Sequence, residues 1–438
     1  MVRVNVKQGI VTHEGAPAKQ VNAEMKLRRS VLSCLLWEKE FYEDGAEIAE
    51  RIGSLVPQVA GEKVAALAVE ARTEMNLRHV PLWLVRLMAA WPDHRHLVGK
   101  TLEQVIQRAD ELTEFLALYW LDKKQPLSSQ VKRGLAKAFG KFDEYQLAKY
   151  DRPGNVRLRD VLFLCHAKPA DAEQEALWKR LIDGELEVPD TWEVALSSGA
   201  DKRQAFERLM AEQMLGGLAF LRNLRNMLDA GVPVEVLREY MGVANFRRVL
   251  PFRFIAAARY ALRLEPELET AMLAALAEHE KLPGETILLV DVSGSMESQL
   301  SEKSDMTRMD AACALSILLR EVCEHVRVVT FSQGSVEVPP RRGFALRDGI
   351  VSSQHHGGTY LGAAVRRCGD LRHDRMIVFT DEQSHDSVPD PVVENAYVIN
   401  VASAQNGVGY GPWKHIDGFS EAVVNWIRAY EGMNRESK

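Results

Sequence analysis

At Pro283-Gly284 the hydrophobic periodicity of this 438-residue sequence changes, and the change requires two architectures in one chain. From about Ala23 to Leu282 apolar residues recur every three or four positions, and alternating β-branched runs are nearly absent, which is the signature of amphipathic helices. Beyond it, continuous apolar runs alternate with helical stretches. Thr286–Asp291 reads as a buried strand, Arg308–Val326 as a helix and Arg327–Phe331 as the next strand; Leu361–Cys368 is helical, Arg375–Thr380 and Ala396–Val401 are strands, and Glu421–Tyr430 closes as a helix. Strands apolar throughout and separated by helices predict a doubly wound α/β layer, mostly parallel and covered on both faces. Length alone also favours more than one domain.

In the first half, breakers at Gly53, Pro57, Pro92, Pro126, Pro153-Gly154, Pro189, Gly231-Pro233 and Pro251 cut the helical pattern into ordinary helices joined by short turns. One segment, with Phe206, Leu209, Met210, Met214, Leu218, Leu221, Leu224 and Leu228 on one stripe, leaves Arg222 and Arg225 off it. No strict consensus repeats, so the stack is read as degenerate and HEAT-like. The expected division is an N-terminal arm over 1–22, a helical-repeat domain over 23–282 and an α/β domain over 283–438.

The sharpest local signal is Asp291-Val-Ser293-Gly-Ser295, directly after the first buried strand. Thr359 follows Gly357-Gly358 before a helix, and Asp381 ends the strand Met376–Thr380. All three segments fall at carboxyl ends of strands, where open α/β sheets bind ligands. Two carboxylates and three hydroxyls, without His or Cys, suit a hard ion: Mg²⁺, or another divalent cation such as Mn²⁺ or Ca²⁺. A phosphoaspartyl reading of Asp291 would want a second acid two positions on, where Ser293 stands; a vestigial site that folds without metal is the other alternative. Glu382 and His385 neighbour Asp381, but without a nucleophile beside Ser293 they do not make an enzyme.

The formal charge of −6 is unevenly spread. Between Gln130 and Lys168 nine Lys/Arg face four Asp/Glu, and between Lys202 and Arg263 eleven face five, so the two windows carry +11 and the rest −17. That partition is expected of a basic face on an otherwise acidic protein. No apolar stretch reaches the roughly 18 residues of a membrane span, and the start has no signal-peptide run, so the chain is read as cytoplasmic. The five scattered cysteines, Cys34, Cys165, Cys313, Cys323 and Cys368, are read as small buried hydrophobes rather than a disulfide or zinc framework.

The metal pattern resembles the metal-ion-dependent adhesion site of von Willebrand factor A domains at all five positions. In the helical half, Cys34–Gly45, Leu158–Pro169, Phe220–Met227 and Val249–Ala258 resemble the TROVE module of the Ro autoantigen family and its bacterial relatives. The resemblance implies an all-α HEAT-like ring joined to the A domain, without catalysis. It also implies binding of small structured noncoding RNAs of the Y type and of single-stranded 3′ ends of defective RNAs. The role would be that of a monomeric chaperone or tether, which in some bacterial relatives presents RNA to an exoribonuclease. By position, Lys149 and His166 match residues that contact Y RNA in animal members; Arg152 comes one residue earlier than the family's arginine. Tyr150, Arg222 and Arg225 complete the candidate RNA-binding set, since cations neutralise phosphates and Tyr or His can stack on an unpaired base. Plain readings compete: His166 as a helix cap or core residue, Arg222 and Arg225 as solvated or paired with acids, Asn223 and Asn226 as turn-satisfying groups, the tryptophans as packing. The alternative function is a protein-binding adaptor whose A domain partners a ring ATPase.

Overall fold

The computed structural model describes residues 10–18, 21–32, 45–187, 189–197, 201–247, 249–277, 279–300, 304–402, 404, 406–418 and 423–436. Sixteen α-helices precede the sheet among these residues, from Ala23–Leu32 to Glu265–Leu276. Contacts divide the chain into two compact units: Asn22–Trp37 with Gly45–Val194, and Met1–Val21 with Glu38–Asp44 and Ala195–Lys438.

In the first unit alternate helices pack on one another: Gly61–Thr73 on Val98–Val105, that helix on Ser129–Phe139, and Ser129–Phe139 on Leu158–Cys165. Alternation of this kind builds two layers from helix pairs, with one buried core between them. Close approach is enforced by composition: a Cβ at Gly134 would lie 2.8 Å from the Gly99 carbonyl. Buried Arg72 bonds Glu111 at 2.7 Å and the Val105 carbonyl at 3.1 Å, so the layers also share a satisfied ion pair.

The second unit carries a six-stranded sheet in the order β3-β2-β1-β4-β5-β6. The strands are β1 (Leu282–Asp291), β2 (Cys323–Phe331), β3 (Ser335–Val338), β4 (Arg375–Thr380), β5 (Asn395–Asn400) and β6 (Lys414–Asp417). All pairs are parallel except β2 with β3. The chain fills one side of β1 first and then crosses to β4, so the topological switch point lies between the ends of β1 and β4. The helices Pro251–Ala258 and Glu265–Leu276 pack on Arg308–Val322, and the Phe344 amide donates to Glu269 at 2.7 Å. The last helices before β1 therefore share the core of the sheet.

Three expectations need correction. The helix from Arg308 ends at Val322 and not Val326: Cys323 is extended and pairs with Leu282, so the sheet claims those four residues. The stripe from Phe206 to Leu228 is two helices, Lys202–Ala211 and Gly217–Asp229, broken where Gln213 adopts φ 55°, which leaves Met214 and Leu218 exposed. β3, β6 and the helix Gly343–Val351 carry no strong apolar pattern and were not anticipated. Cys165, Cys313, Cys323 and Cys368 are free and buried; Cys34 lies outside the described residues.

Candidate metal edge and RNA-contact residues

At the switch point, Asp291 leaves β1 fully buried. Its Oδ1 accepts the Ser293 amide at 2.9 Å and its Oδ2 accepts the Thr380 hydroxyl at 2.7 Å, so the carboxylate pins its own loop to the end of β4. The Ser293 and Ser295 hydroxyl oxygens stand 3.3 Å apart, Ser293 extended and Ser295 in the 3-10 turn Gly294–Glu297 rather than on the extended loop expected. The Gly294 amide donates to the Gly357 carbonyl at 3.1 Å, tying that loop to the one bearing buried Thr359. The Thr359 carbonyl in turn accepts the His385 amide at 2.7 Å, which joins the loop after Asp381. All five expected residues thus belong to three loops sewn together at one sheet edge.

Two carboxylates, Asp291 and Asp381, are buried at this edge. Burial, and after it the neighbouring Asp381 carboxylate, push the Asp291 carboxyl up to about 7. Among the described residues no group of three or more His, Cys, Asp or Glu is placed to hold a metal, so an ion here relies on the hydroxyls as well. Hard oxygens of this kind fit Mg²⁺. One residue was missed: Arg308, 2% exposed, stands 3.6 Å from Asp381. It opens the helix capped by Thr307, whose hydroxyl accepts the Asp310 amide at 3.1 Å; a helix-starting arginine gives no sequence signal of burial.

The RNA-contact candidates divide between the units, with Lys149, Tyr150, Arg152 and His166 in one and Arg222 and Arg225 in the other. His166 ends the helix Leu158–Cys165 in the left-handed conformation, φ 53° and ψ 43°, while the Ala167 amide caps back to Leu162 at 3.3 Å. Its backbone is thus a cap, and its imidazole is exposed rather than in the core. One turn earlier Phe163 is 58% exposed. Its position was legible: Leu158, Val161, Leu162 and Cys165 form the buried stripe and Phe163 falls outside it. An eight-residue helix is about 12 Å long, so His166 lies that far from Arg157 at the other end.

Lys149 is not a free cation, for its ammonium sits 3.2 Å from Glu193. Burial opposes ionisation of Glu193, but its backbone hydrogen bond and Lys149 overcome this and hold the carboxyl below its ordinary range. Tyr150 is half-buried, with the Arg108 guanidinium over its ring at 4.7 Å. Arg152 is exposed, and Arg157 pairs with Asp151 at 2.7 Å. In the other unit, Arg222 is exposed and has no ion-pair partner among the described residues. Arg225 lies 4.5 Å over the Tyr260 ring and 3.8 Å from Asp229. Asn223 is buried and donates to the Ala219 carbonyl at 2.9 Å, and Asn226 donates to Asn223 at 3.1 Å, so both serve the helix itself.

Residues 178–278 match the family model described as the TROVE domain. The matched segment contains Arg222 and Arg225 and leaves out Lys149 and His166. The whole fold is similar to the crystal structure of the Deinococcus radiodurans Ro (RSR) protein, with a TM-score of 0.63 and 19% identity over 93% of this chain and 99% of that one. Residues 178–278 thus match the TROVE domain, and the chain has the fold of that Ro protein. Among the described residues no helix is long and apolar enough to cross a membrane.

His166→Ala is expected to weaken binding of a single-stranded RNA about 5-fold or more, with the melting temperature within a few degrees of wild type, because exposed positions seldom cost more than about 0.5 kcal/mol. His166→Asn, which tolerates the left-handed backbone, controls for the cap. Equal RNA affinity in all three proteins would remove His166 from the interface.

Proposed function

We propose that this protein binds RNA through the exposed cations and rings of its helices, and that its metal edge docks a protein rather than performing chemistry on RNA. The observation that carries the first part is that Phe163, His166 and Arg152 in one unit and Arg222 in the other are all exposed, Phe163 and Arg222 on helices and Arg152 and His166 in turns beside them, in a chain whose residues 178–278 match the TROVE domain. Such a set offers phosphate neutralisation and stacking without duplex readout, which suits unpaired RNA. In keeping with the family resemblance, the ligands are Y-like small noncoding RNAs and loose single-stranded ends. The chain acts as chaperone or tether in RNA quality control, and an exoribonuclease is the class of partner that consumes what it holds.

The second part rests on charge. Two carboxylates and the Arg308 guanidinium sum to −1, so a bound divalent ion leaves the edge at +1, and an entering carboxylate neutralises it. Asp291, Ser293, Ser295, Thr359 and Asp381 would hold the ion; when bound it supplies an open coordination position. We read the edge as a docking site and not a hydrolytic one, because the His385 imidazole beside it is engaged by the Thr359 amide and by Glu14.

Competition tests the RNA reading. A hairpin RNA with a single-stranded 3′ tail is expected to displace a labelled single strand at least about tenfold better than a blunt duplex of equal length. Equal competition by the blunt duplex would contradict it.

A further inference from the structure

The segment 10–18 is far from the sheet in sequence, yet it is fastened beside the metal edge. Val11 and Pro17 form a bridge around Gly15, which has φ 91°, making a small hairpin. Buried Thr12 donates its hydroxyl to the Ser384 carbonyl at 2.9 Å, the His13 amide donates to Gln383 at 2.7 Å, and Asn406 donates to the Val11 carbonyl at 3.3 Å. Gln383 and Ser384 come two and three residues after Asp381.

A continuous path joins this hairpin to a metal ligand. The Thr359 amide donates to His385 Nδ1 at 3.1 Å, which leaves the imidazole proton on Nε2. Nε2 lies 3.1 Å from the Glu14 carboxylate, so it donates there. The ring is held flat against Tyr360, 5.2 Å between centroids and 18° between planes. Gly358 makes room for it, since a Cβ there would lie 3.1 Å from His385 Cε1.

We propose that the hairpin 10–18 is a strap linked to ion binding at the sheet edge, with Glu14 and His385 as positioning residues for Thr359. An ion that fixes the Thr359 loop pre-orders His385 for Glu14, and a docked strap pre-orders Thr359 for the ion. The two equilibria favour each other by the same factor. This rests on the metal reading above.

The test is hydrogen–deuterium exchange of peptides spanning 10–18 in Mg²⁺ and in chelator, together with calorimetric Mg²⁺ affinity for wild type, Glu14→Ala, Glu14→Gln and His385→Ala. Mg²⁺ should slow strap exchange several-fold in wild type and leave it unchanged in Asp291→Asn. Glu14→Ala and His385→Ala should weaken Mg²⁺ several-fold. Glu14→Gln, which can still accept the Nε2 proton, should retain most of the affinity, whereas a purely electrostatic effect of Glu14 would make Gln as poor as Ala and overturn the positioning role. Normal Mg²⁺ affinity with strap exchange indifferent to the ion would overturn the strap alone. Failure of the wild type to bind Mg²⁺ would overturn the metal reading and the strap with it.

Discussion

Asp291→Asn is expected to lose Mg²⁺ affinity by about 100-fold or more while RNA affinity stays within about two-fold of wild type. The amide oxygen can still accept from Ser293 or Thr380, so the loop keeps a buried partner for one of them. What it cannot replace is charge, and Asp291 is one of two carboxylates in a candidate ligand set otherwise made of hydroxyls. The thermal signature should reverse with the ion. In chelator the variant is expected to melt higher than wild type, because a buried carboxyl pushed up to about 7 is poorly accommodated when ionised. In saturating Mg²⁺ the wild type should gain about 2–3 kcal/mol at a hundredfold excess over its Kd and the variant less than about 0.5 kcal/mol. Loss of RNA binding in the folded variant would mean that the metal edge participates in holding RNA.

His415→Ala is expected to be the most destabilising substitution in the sheet, at about 3–5 kcal/mol. The imidazole is buried on β6, with Nε2 2.8 Å from Glu382 and Nδ1 3.3 Å from Asp417. Burial works against its charge, but Asp417 and then Glu382 prevail and raise it to about 9. Removing it leaves two buried acids facing one another's field without their cation. Because the folded value is raised, the stability it contributes is complete below the unfolded value near about 6.5 and is lost as pH rises through about 9. Denaturant melts across that range should show wild type declining toward the variant. Parallel curves, or a cost below about 1 kcal/mol, would mean that the histidine is neutral in the folded state.

The placement of the five candidate oxygen-bearing residues at one sheet edge was legible because its ingredients are local. A continuous apolar run marks β1 and β4 as buried strands, and a residue following such a strand emerges at its carboxyl end, which places Asp291 and Asp381 at the same edge of a parallel sheet; that they adjoin comes from the pairing of β1 with β4. Arg308 was not legible, since nothing in a helix-starting arginine tells whether it faces water or a carboxylate from another strand. The RNA candidates were legible as a basic window but not as individuals. Lys149 and Arg157 are equivalent in sequence to Arg152, yet two of the three are held by acids that folding brings alongside. Helix boundaries failed where pairing overrode local pattern, as at Cys323, and where a left-handed residue such as Gln213 broke a stripe that periodicity alone would continue.

The central claim is that phosphate neutralisation by the helical elements holds RNA, and salt tests it most directly. Binding of a single-stranded RNA should weaken on the order of 10²-fold between about 50 and 200 mM salt if about six phosphates are neutralised, with a log–log slope near −0.7 per contact. Arg222→Gln should reduce that slope by about 0.7, because one released counterion is removed. A salt-independent isotherm, or no measurable RNA binding at low salt, would contradict the account.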